Sequence, residues 1–158
     1  MLVHKETVIL PMPVEKVFAY ITTPSNFPLW IKDIWISGRT FGKMGPGCSM
    51  IQTIRMLNPR KFNMKVTGYL ENRYFKIEAL KGFLVLPCFI FSCKPSGNSS
   101  ETELTVSVEL GGKIVIDEGS LPKNFWIFYP QGVSQHWKIY LQLLREQLIK
   151  KGKEVPFV

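Results

Sequence analysis

The sequence predicts an α+β fold, in which a curved antiparallel β-sheet of about six to seven strands wraps on a long C-terminal α-helix. Two short helices are expected after the first strand. From residue 31 to residue 111, segments with apolar residues at every second position alternate with glycine, proline and asparagine turns. An amphipathic segment of helical period covers residues 131–151. A shorter helical pattern follows the initial strand-like segment.

The first strand is expected at residues 3–10 and ends at two prolines. Pro11 and Pro13 cannot donate to a sheet ladder, and each fixes its own φ angle. Pro13 suits the first turn of a helix, where a missing N–H costs least. The apolar residues of that helix have i, i+3, i+4, i+7 spacing, which predicts one buried stripe. They are Val14, Val17, Phe18 and Ile21.

The stretch TTPSNFPLW is expected to form a second short helix or turn. Thr23 or Ser25 is available as its N-cap, while Pro24 and Pro28 restrict the backbone. We expect this segment to deliver Trp30 to the protein interior.

Six further strands are predicted from alternation and turn residues, at residues 33–38, 49–57, 61–70, 73–80, 84–93 and 102–111. In the last strand every second residue from Leu104 to Leu110 is apolar, and the residues between them are polar. One face of the sheet should therefore contact an apolar partner and the other face water.

The apolar partner is expected to be the C-terminal helix. Its buried face has helical spacing and consists of Val133, Trp137, Tyr140, Leu141, Leu144 and Leu148. Just before it, Pro130 and Gly132 would break or kink a continuous helix. We predict that the long helix lies across the concave face of the sheet.

The length of 158 residues predicts a single domain over residues 1–158, and composition excludes several classes of protein. Hydrophobic residues make up 46% of the chain, which excludes intrinsic disorder. Twenty Lys and Arg against 12 Asp and Glu give a net charge of +8. The basic residues are dispersed and lack the aromatic interleaving of a strand-binding platform, so nucleic acid is not an expected partner.

No cofactor or metal is expected. The three cysteines form no CxxC pair, and the sequence has no HExxH motif and no Walker loop. The GKMGPG stretch precedes a strand rather than a helix, so it does not fit a dinucleotide site. The N-terminus lacks the apolar run of a signal peptide, and free thiols fit a reducing compartment. We therefore expect a cytoplasmic protein.

The order of elements and one residue pattern resemble a known superfamily. Pro13, Val17-Phe18, Pro24 and Trp30, followed by GKMGPGCSM, are similar to the START-like, or SRPBCC, superfamily of helix-grip proteins. The similarity is to its polyketide cyclase/dehydrase and lipid-transport-like branch. The resemblance implies a cavity for a hydrophobic small molecule between the sheet and the C-terminal helix.

Aromatic and methionine side chains are the expected lining of such a cavity, because rigid rings and adaptable thioethers pack well against a hydrophobic ligand. Alternatively, the same side chains simply fill the core. The predicted ligand-binding residues are Trp30, Met50, Phe62, Met64, Phe75, Val106, Phe125, Tyr129, His136, Trp137, Tyr140 and Leu141. For both histidines, His4 and His136, a structural or exposed role is the first expectation.

Three classes of function follow from these observations. The first is a carrier or sensor of a lipid-like or polyketide-like molecule. The second is a cyclase, dehydratase or hydrolase that uses acid–base chemistry on such a ligand. The polar groups that could converge for that chemistry are Arg55, Tyr69, Glu71, Tyr74, Glu78 and His136, and no catalytic residue is assigned. The third, which the dispersed basic residues disfavour for nucleic acid, is a protein or nucleic-acid interaction module.

The segment from Phe83 to Cys93 departs from alternation, because it is apolar at both odd and even positions. A sheet with one solvent-exposed face should carry polar residues at every second position, so we expect the outer face of this segment to be covered. Pro87 predicts an edge strand or a bulge. We predict a homodimer contact or transient membrane docking through this segment.

Overall fold

The computed structural model describes residues 2–31, 35–41, 44–55, 59–81, 86–111 and 133–154, and within them the side chains of 4–31, 44–51, 63–80, 88–109 and 137–152. The strands are β1 (Leu2–Leu10), β2 (Trp35–Phe41), β3 (Ser49–Arg55), β4 (Pro59–Leu70), β5 (Tyr74–Lys81), β6 (Leu86–Ser96) and β7 (Asn98–Gly111). The helices are α1 (Val14–Ile21), α2 (Phe27–Trp30) and α3 (Val133–Glu154), with a 3₁₀ turn at Pro24–Asn26.

The seven strands of the described residues form one antiparallel sheet in the order β1-β7-β6-β5-β4-β3-β2. Strands β2 to β7 are a meander, in which each strand pairs with the next along the chain. Strand β1 lies beside β7, with Val8 opposite Leu104. The predicted sheet of six to seven strands is confirmed, and β1 and β2 are its edges.

The two faces of the sheet differ as the alternation predicts. In β7, Leu104, Val106 and Val108 are buried, whereas the residues between them are partly exposed. We call the face that carries these three residues the inner face. Helix α3 packs on it through side chains that are at most 2% exposed: Trp137, Tyr140, Leu141, Leu144 and Leu148. The predicted α+β architecture, with a long terminal helix on the sheet, is confirmed.

Shifts of strand register allow the sheet to curve around α3. Strands β4 and β5 change register between Asn63 and Met64 and again between Val66 and Gly68. Such irregularities bend a strand and increase its twist. At Gly68 a Cβ atom would lie 3.0 Å from Cε2 of Tyr74, so any larger residue would require the tyrosine ring to shift by a few tenths of an ångström.

The prolines end β1 and begin α1 in nearly the predicted way. Pro13 is the N-cap of α1 rather than a first-turn residue, and its carbonyl accepts a hydrogen bond from the Val17 N–H at 3.1 Å. Thr23 is the N-cap residue of the 3₁₀ turn, as predicted, but its side chain makes no capping hydrogen bond there. The Thr23 hydroxyl donates to the Ala19 carbonyl at 2.7 Å instead, because it reaches back to the last turn of α1.

The predicted edge or bulge at Pro87 is also wrong. Strand β6 lies between β5 and β7, and Pro87 pairs with Leu110 without a register shift. The paired residues of β5 and β6 extend only from Tyr74–Ser92 to Glu78–Cys88. Pro87 lies beyond that segment, so its missing N–H removes no bond to β5. An internal strand can therefore carry proline near its beginning.

Candidate functional site

Rings from the sheet and two helices meet on the inner face. We call this the aromatic cluster: Trp30, Phe75, Phe89, Phe91, Trp137 and Tyr140, all at most 1% exposed. Trp30 at the end of α2 contacts Trp137 of α3 edge to face, with ring centroids 6.4 Å apart. Trp137 also packs on Tyr140 at 5.5 Å and on Phe89 at 6.2 Å.

The sheet side of the cluster is a stack of phenylalanines. Phe75 of β5 lies opposite Phe91 of β6 in the ladder, and their rings stack at 4.5 Å with an angle of 13°. Trp30 contacts the Phe91 ring at 6.0 Å. Trp30 therefore joins α2 to both the sheet and α3, which fulfils the prediction that its segment delivers a tryptophan to the interior.

Two polar atoms are enclosed in this apolar surrounding. The Nε1–H groups of Trp30 and Trp137 are buried, and neither has a hydrogen-bond partner among the described residues. A buried indole N–H ordinarily finds an acceptor, and leaving a donor unpaired costs roughly 1–3 kcal/mol. The cluster therefore has two donors whose acceptors the described side chains do not supply.

The structure places most of the predicted ligand-binding residues in the core. Those that are described and buried are Trp30, Met50, Met64, Phe75, Val106, Trp137, Tyr140 and Leu141. Met50 and Met64 lie opposite each other on β3 and β4. Phe62 lies in β4 and His136 in α3, but their side chains are outside the described set, and Phe125 and Tyr129 are outside the described residues. Ligand contact by these residues stays a prediction.

Sequence reasoning missed Phe89 and Phe91. Their segment is apolar at both odd and even positions, so the pattern alone does not identify the face that points inward. The register with β7 does, because Phe91 lies opposite Val106 and Phe89 opposite Val108. The clear alternation of β7 identifies which of its residues face inward. Once the pairing of β6 with β7 is known, the same face can be assigned to the residues of β6.

A polar pair at the margin of the inner face was also missed. Nε2 of His4 lies 2.9 Å from Oε2 of Glu6, and the side chains are only 14% and 19% exposed. Alternate residues of a strand share a face, so both lie on the same side as buried Leu10. In the ladder His4 is opposite Val108, which is itself opposite Phe89. The pair therefore lies two strands from the aromatic cluster.

The polar groups considered for acid–base work do not converge where their side chains are described. Tyr74 and Glu71 are exposed, and Glu78 is paired with Lys76 at 3.4 Å on the outer face. Tyr69 is half-buried, and its ring contacts Phe18 at 5.5 Å. Burial, and then the charge of Glu71, raises the pKa of Tyr69. The side chains of Arg55 and His136 are outside the described set.

The cysteines are buried free thiols. Desolvation raises the pKa of Cys93 to about 12, and also that of Cys88 to about 12. The thiolate is the metal ligand and the nucleophile, so both groups are inert near neutral pH. No group of three or more His, Cys, Asp or Glu side chains in the described part of the chain could hold a metal ion.

The described part of the segment from Phe83 to Cys93 presents little apolar surface. On the outer side of β6, Cys88 is buried and lies between Glu78 of β5 and Glu109 of β7 in the ladder. Residues 82–85 are outside the described set. Within the described residues, no helix is both long and apolar enough to cross a membrane. Contact with a second chain or a membrane surface stays a prediction.

The outer face carries a polar depression of about 360 Å³. It is lined by Lys5, Thr7, Ser92, Cys93, Lys94, Glu103, Thr105 and Ser107. An ion pair between Lys94 and Glu103, 3.3 Å long, lies within it. Its polar lining and open position are typical of a solvated sheet face, so the candidate site is the inner face.

Comparison with known proteins identifies the fold. No protein-family model matches the chain, and no curated protein matches its sequence. A solved START superfamily protein from Mycobacterium smegmatis superimposes with a TM-score of 0.65 at 16% identity, covering 99% of this chain and 100% of that one. The chain has the START-like helix-grip fold. The helix-grip fold that the sequence resemblance implied is thus confirmed.

Two further structures show the same START-like fold. A protein from Thermus thermophilus, TTHA0849, has a TM-score of 0.70 at 13% identity, covering 93% of this chain and 97% of that one. Ara h 8.0201 has a TM-score of 0.65 at 17% identity, with the same two coverages. At these identities the likeness concerns the fold.

Proposed function

We propose that this START-like protein binds a hydrophobic small molecule, lipid-like or polyketide-like, between the inner face and α3, as a carrier or sensor. The observation that carries the proposal is the aromatic cluster. It draws rings from α2, α3 and two strands onto one face, and large rigid rings give much contact area at low entropic cost. The START superfamily likeness supports the same interface as the ligand site.

The alternative is a core that only stabilises the fold, and a pair of matched variants distinguishes the two. Leu144 of α3 is fully buried, whereas Ile139 on the same helix is 55% exposed. Tryptophan at position 144 would occupy space at the interface, at a stability cost of roughly 1–3 kcal/mol. Tryptophan at position 139 would extend into solvent and leave the interface unchanged.

Two measurements test the proposal. Native mass spectrometry of gently purified protein should show a non-covalent adduct of small-molecule mass. NMR titration with 2-acetylnaphthalene should show saturable binding to the native protein and to Ile139→Trp, and at least tenfold weaker binding to Leu144→Trp that remains folded by circular dichroism. The absence of both an adduct and saturable binding would refute the proposal. Equal binding by both variants would also refute it.

His4 and Glu6 favour a second candidate function, an acid–base enzyme on the same ligand. A carboxylate that accepts from one imidazole nitrogen fixes the tautomer and leaves the other nitrogen as a base. The probe is heptane-2,4,6-trione, whose intramolecular aldol ring closure with loss of one water gives 3,5-dihydroxytoluene. An enzyme would produce it catalytically, and both Glu6→Gln and His4→Gln would abolish turnover without loss of binding. Turnover no faster than in buffer would exclude this cyclase activity.

We also propose a single domain in a reducing, cytoplasmic compartment. Every described strand belongs to one sheet, and α3 contacts its first strand as well as α2. All three cysteines are free thiols, which is the usual state of cysteine in a reducing compartment.

A further inference from the structure

We propose that the ligand carries a neutral carbonyl oxygen, as in a ketone or an ester, which accepts hydrogen bonds from the indole N–H groups of Trp30 and Trp137. This inference rests on the proposed function and names the chemical class of its ligand. Its starting point is that both donors are unpaired among the described residues, although both side chains are 0% exposed.

The chemistry of indole restricts the partner. Indole nitrogen is a donor only, so whatever satisfies it must be an acceptor. The contacting rings of Phe89 and Phe91 carry no acceptor atom. Tyr140 packs on Trp137 at 5.5 Å, but its hydroxyl does not accept from the Trp137 N–H. The acceptor therefore has to come from beyond these neighbours.

The surroundings favour a neutral acceptor over an anion. The aromatic cluster is composed of uncharged side chains, so it offers no cation to pair with a carboxylate. Moving an ionised carboxylate into such surroundings without a cation costs far more than moving a carbonyl group, whose hydrogen bonds the two indoles can replace. The ring centroids of the two indoles lie 6.4 Å apart, which brings both donors into the same cluster.

The test uses two probes of nearly equal size. 2-Acetylnaphthalene carries a carbonyl group, and 2-ethylnaphthalene has a methylene group in its place. We expect the ketone to bind about tenfold more tightly, because a satisfied donor replaces an unpaired one. The ketone should also move the Hε1 NMR signals of Trp30 and Trp137 downfield, each signal being assigned by its absence in the Trp→Phe variant.

Variants separate the hydrogen bond from packing. Trp30→Phe and Trp137→Phe keep a ring but remove the donor, and at least one of them should reduce the preference for the ketone to threefold or less. Phe91→Leu changes the same cluster without removing a donor, so it should weaken both probes and keep the tenfold ratio. If a tryptophan variant fails to fold, benzothienylalanine at that position removes the N–H with little change of shape.

The outcomes for this inference differ from those for the proposed function. Saturable binding of both probes with equal affinity, and with both indole signals unmoved, would overturn the carbonyl inference and leave hydrophobic binding intact. Failure of both probes to bind would overturn the proposed function itself. Indole signals that show contact only with a resident water, in the presence of bound ketone, would also overturn the carbonyl inference.

Discussion

Replacing Phe91 by alanine should be among the most destabilising changes in the protein. Its ring is fully buried, stacks on Phe75 at 4.5 Å and contacts Trp30 at 6.0 Å. Phenylalanine-to-alanine changes in a core cost about 3–5 kcal/mol, and each lost aromatic pair adds roughly 0.5–1.5 kcal/mol beyond buried area. We therefore expect a loss near the upper end, about 4–5 kcal/mol.

Urea unfolding followed by circular dichroism measures this free-energy change, provided that the m-value is unchanged. Domains of this size are stable by about 5–15 kcal/mol, and a loss of about 4–5 kcal/mol is a large part of that range. Phe91→Leu, with an expected cost of about 1–1.5 kcal/mol, therefore provides a milder variant whose unfolding can also be measured. Ile139→Ala, at a 55% exposed position of α3, should change stability by no more than about 0.5 kcal/mol. A loss below about 1.5 kcal/mol for Phe91→Ala would refute the packing described for the cluster.

Two further predictions concern a buried hydroxyl and a buried thiol. Thr102→Val should lower the free energy of unfolding in urea by about 1–3 kcal/mol, because the buried Thr102 hydroxyl donates to the Met12 carbonyl at 2.6 Å. Thr105 is half-buried, so Thr105→Val should cost under about 1 kcal/mol. Equal costs for the two variants would contradict this prediction. Burial raises the pKa of Cys93 from 9.0 to about 12, so the unfolded chain loses this proton first and stability falls as pH rises above 9. Cys93→Ala should make that decline shallower by up to about 1.4 kcal/mol per pH unit between pH 9 and 11, and an unchanged slope would contradict the assignment.

The sequence predicted those features of the fold that depend on local periodicity. The alternation around Val106 and the helical spacing around Trp137 each identify a buried face, because burial acts on every second residue of a strand and on one stripe of a helix. The pairing of β1 with β7 could not be read in this way. It joins residues about 100 positions apart, such as Val8 and Leu104, and no local pattern records it.

The candidate site was harder to predict, because it depends on that long-range register. Pairing with β7 brings His4 to the margin of the inner face, where the sequence favoured a structural or exposed histidine. Pairing with β7 also places Phe91 on the inner face, although its segment is apolar at both odd and even positions. Trp30 could be anticipated, because the proline-opened turn that precedes it is a local signal. Its unpaired indole N–H could not.

The central claim is that a hydrophobic ligand binds between the inner face and α3. Methyl-labelled NMR with 2-acetylnaphthalene tests it most directly. Val108 and Leu141 are buried at this interface, whereas Ile9 and Leu80 are 43% and 55% exposed. We expect saturable shifts of the Val108 and Leu141 methyl signals and none for Ile9 and Leu80. Shifts confined to Ile9 and Leu80, or no saturable shift at all, would contradict the claim.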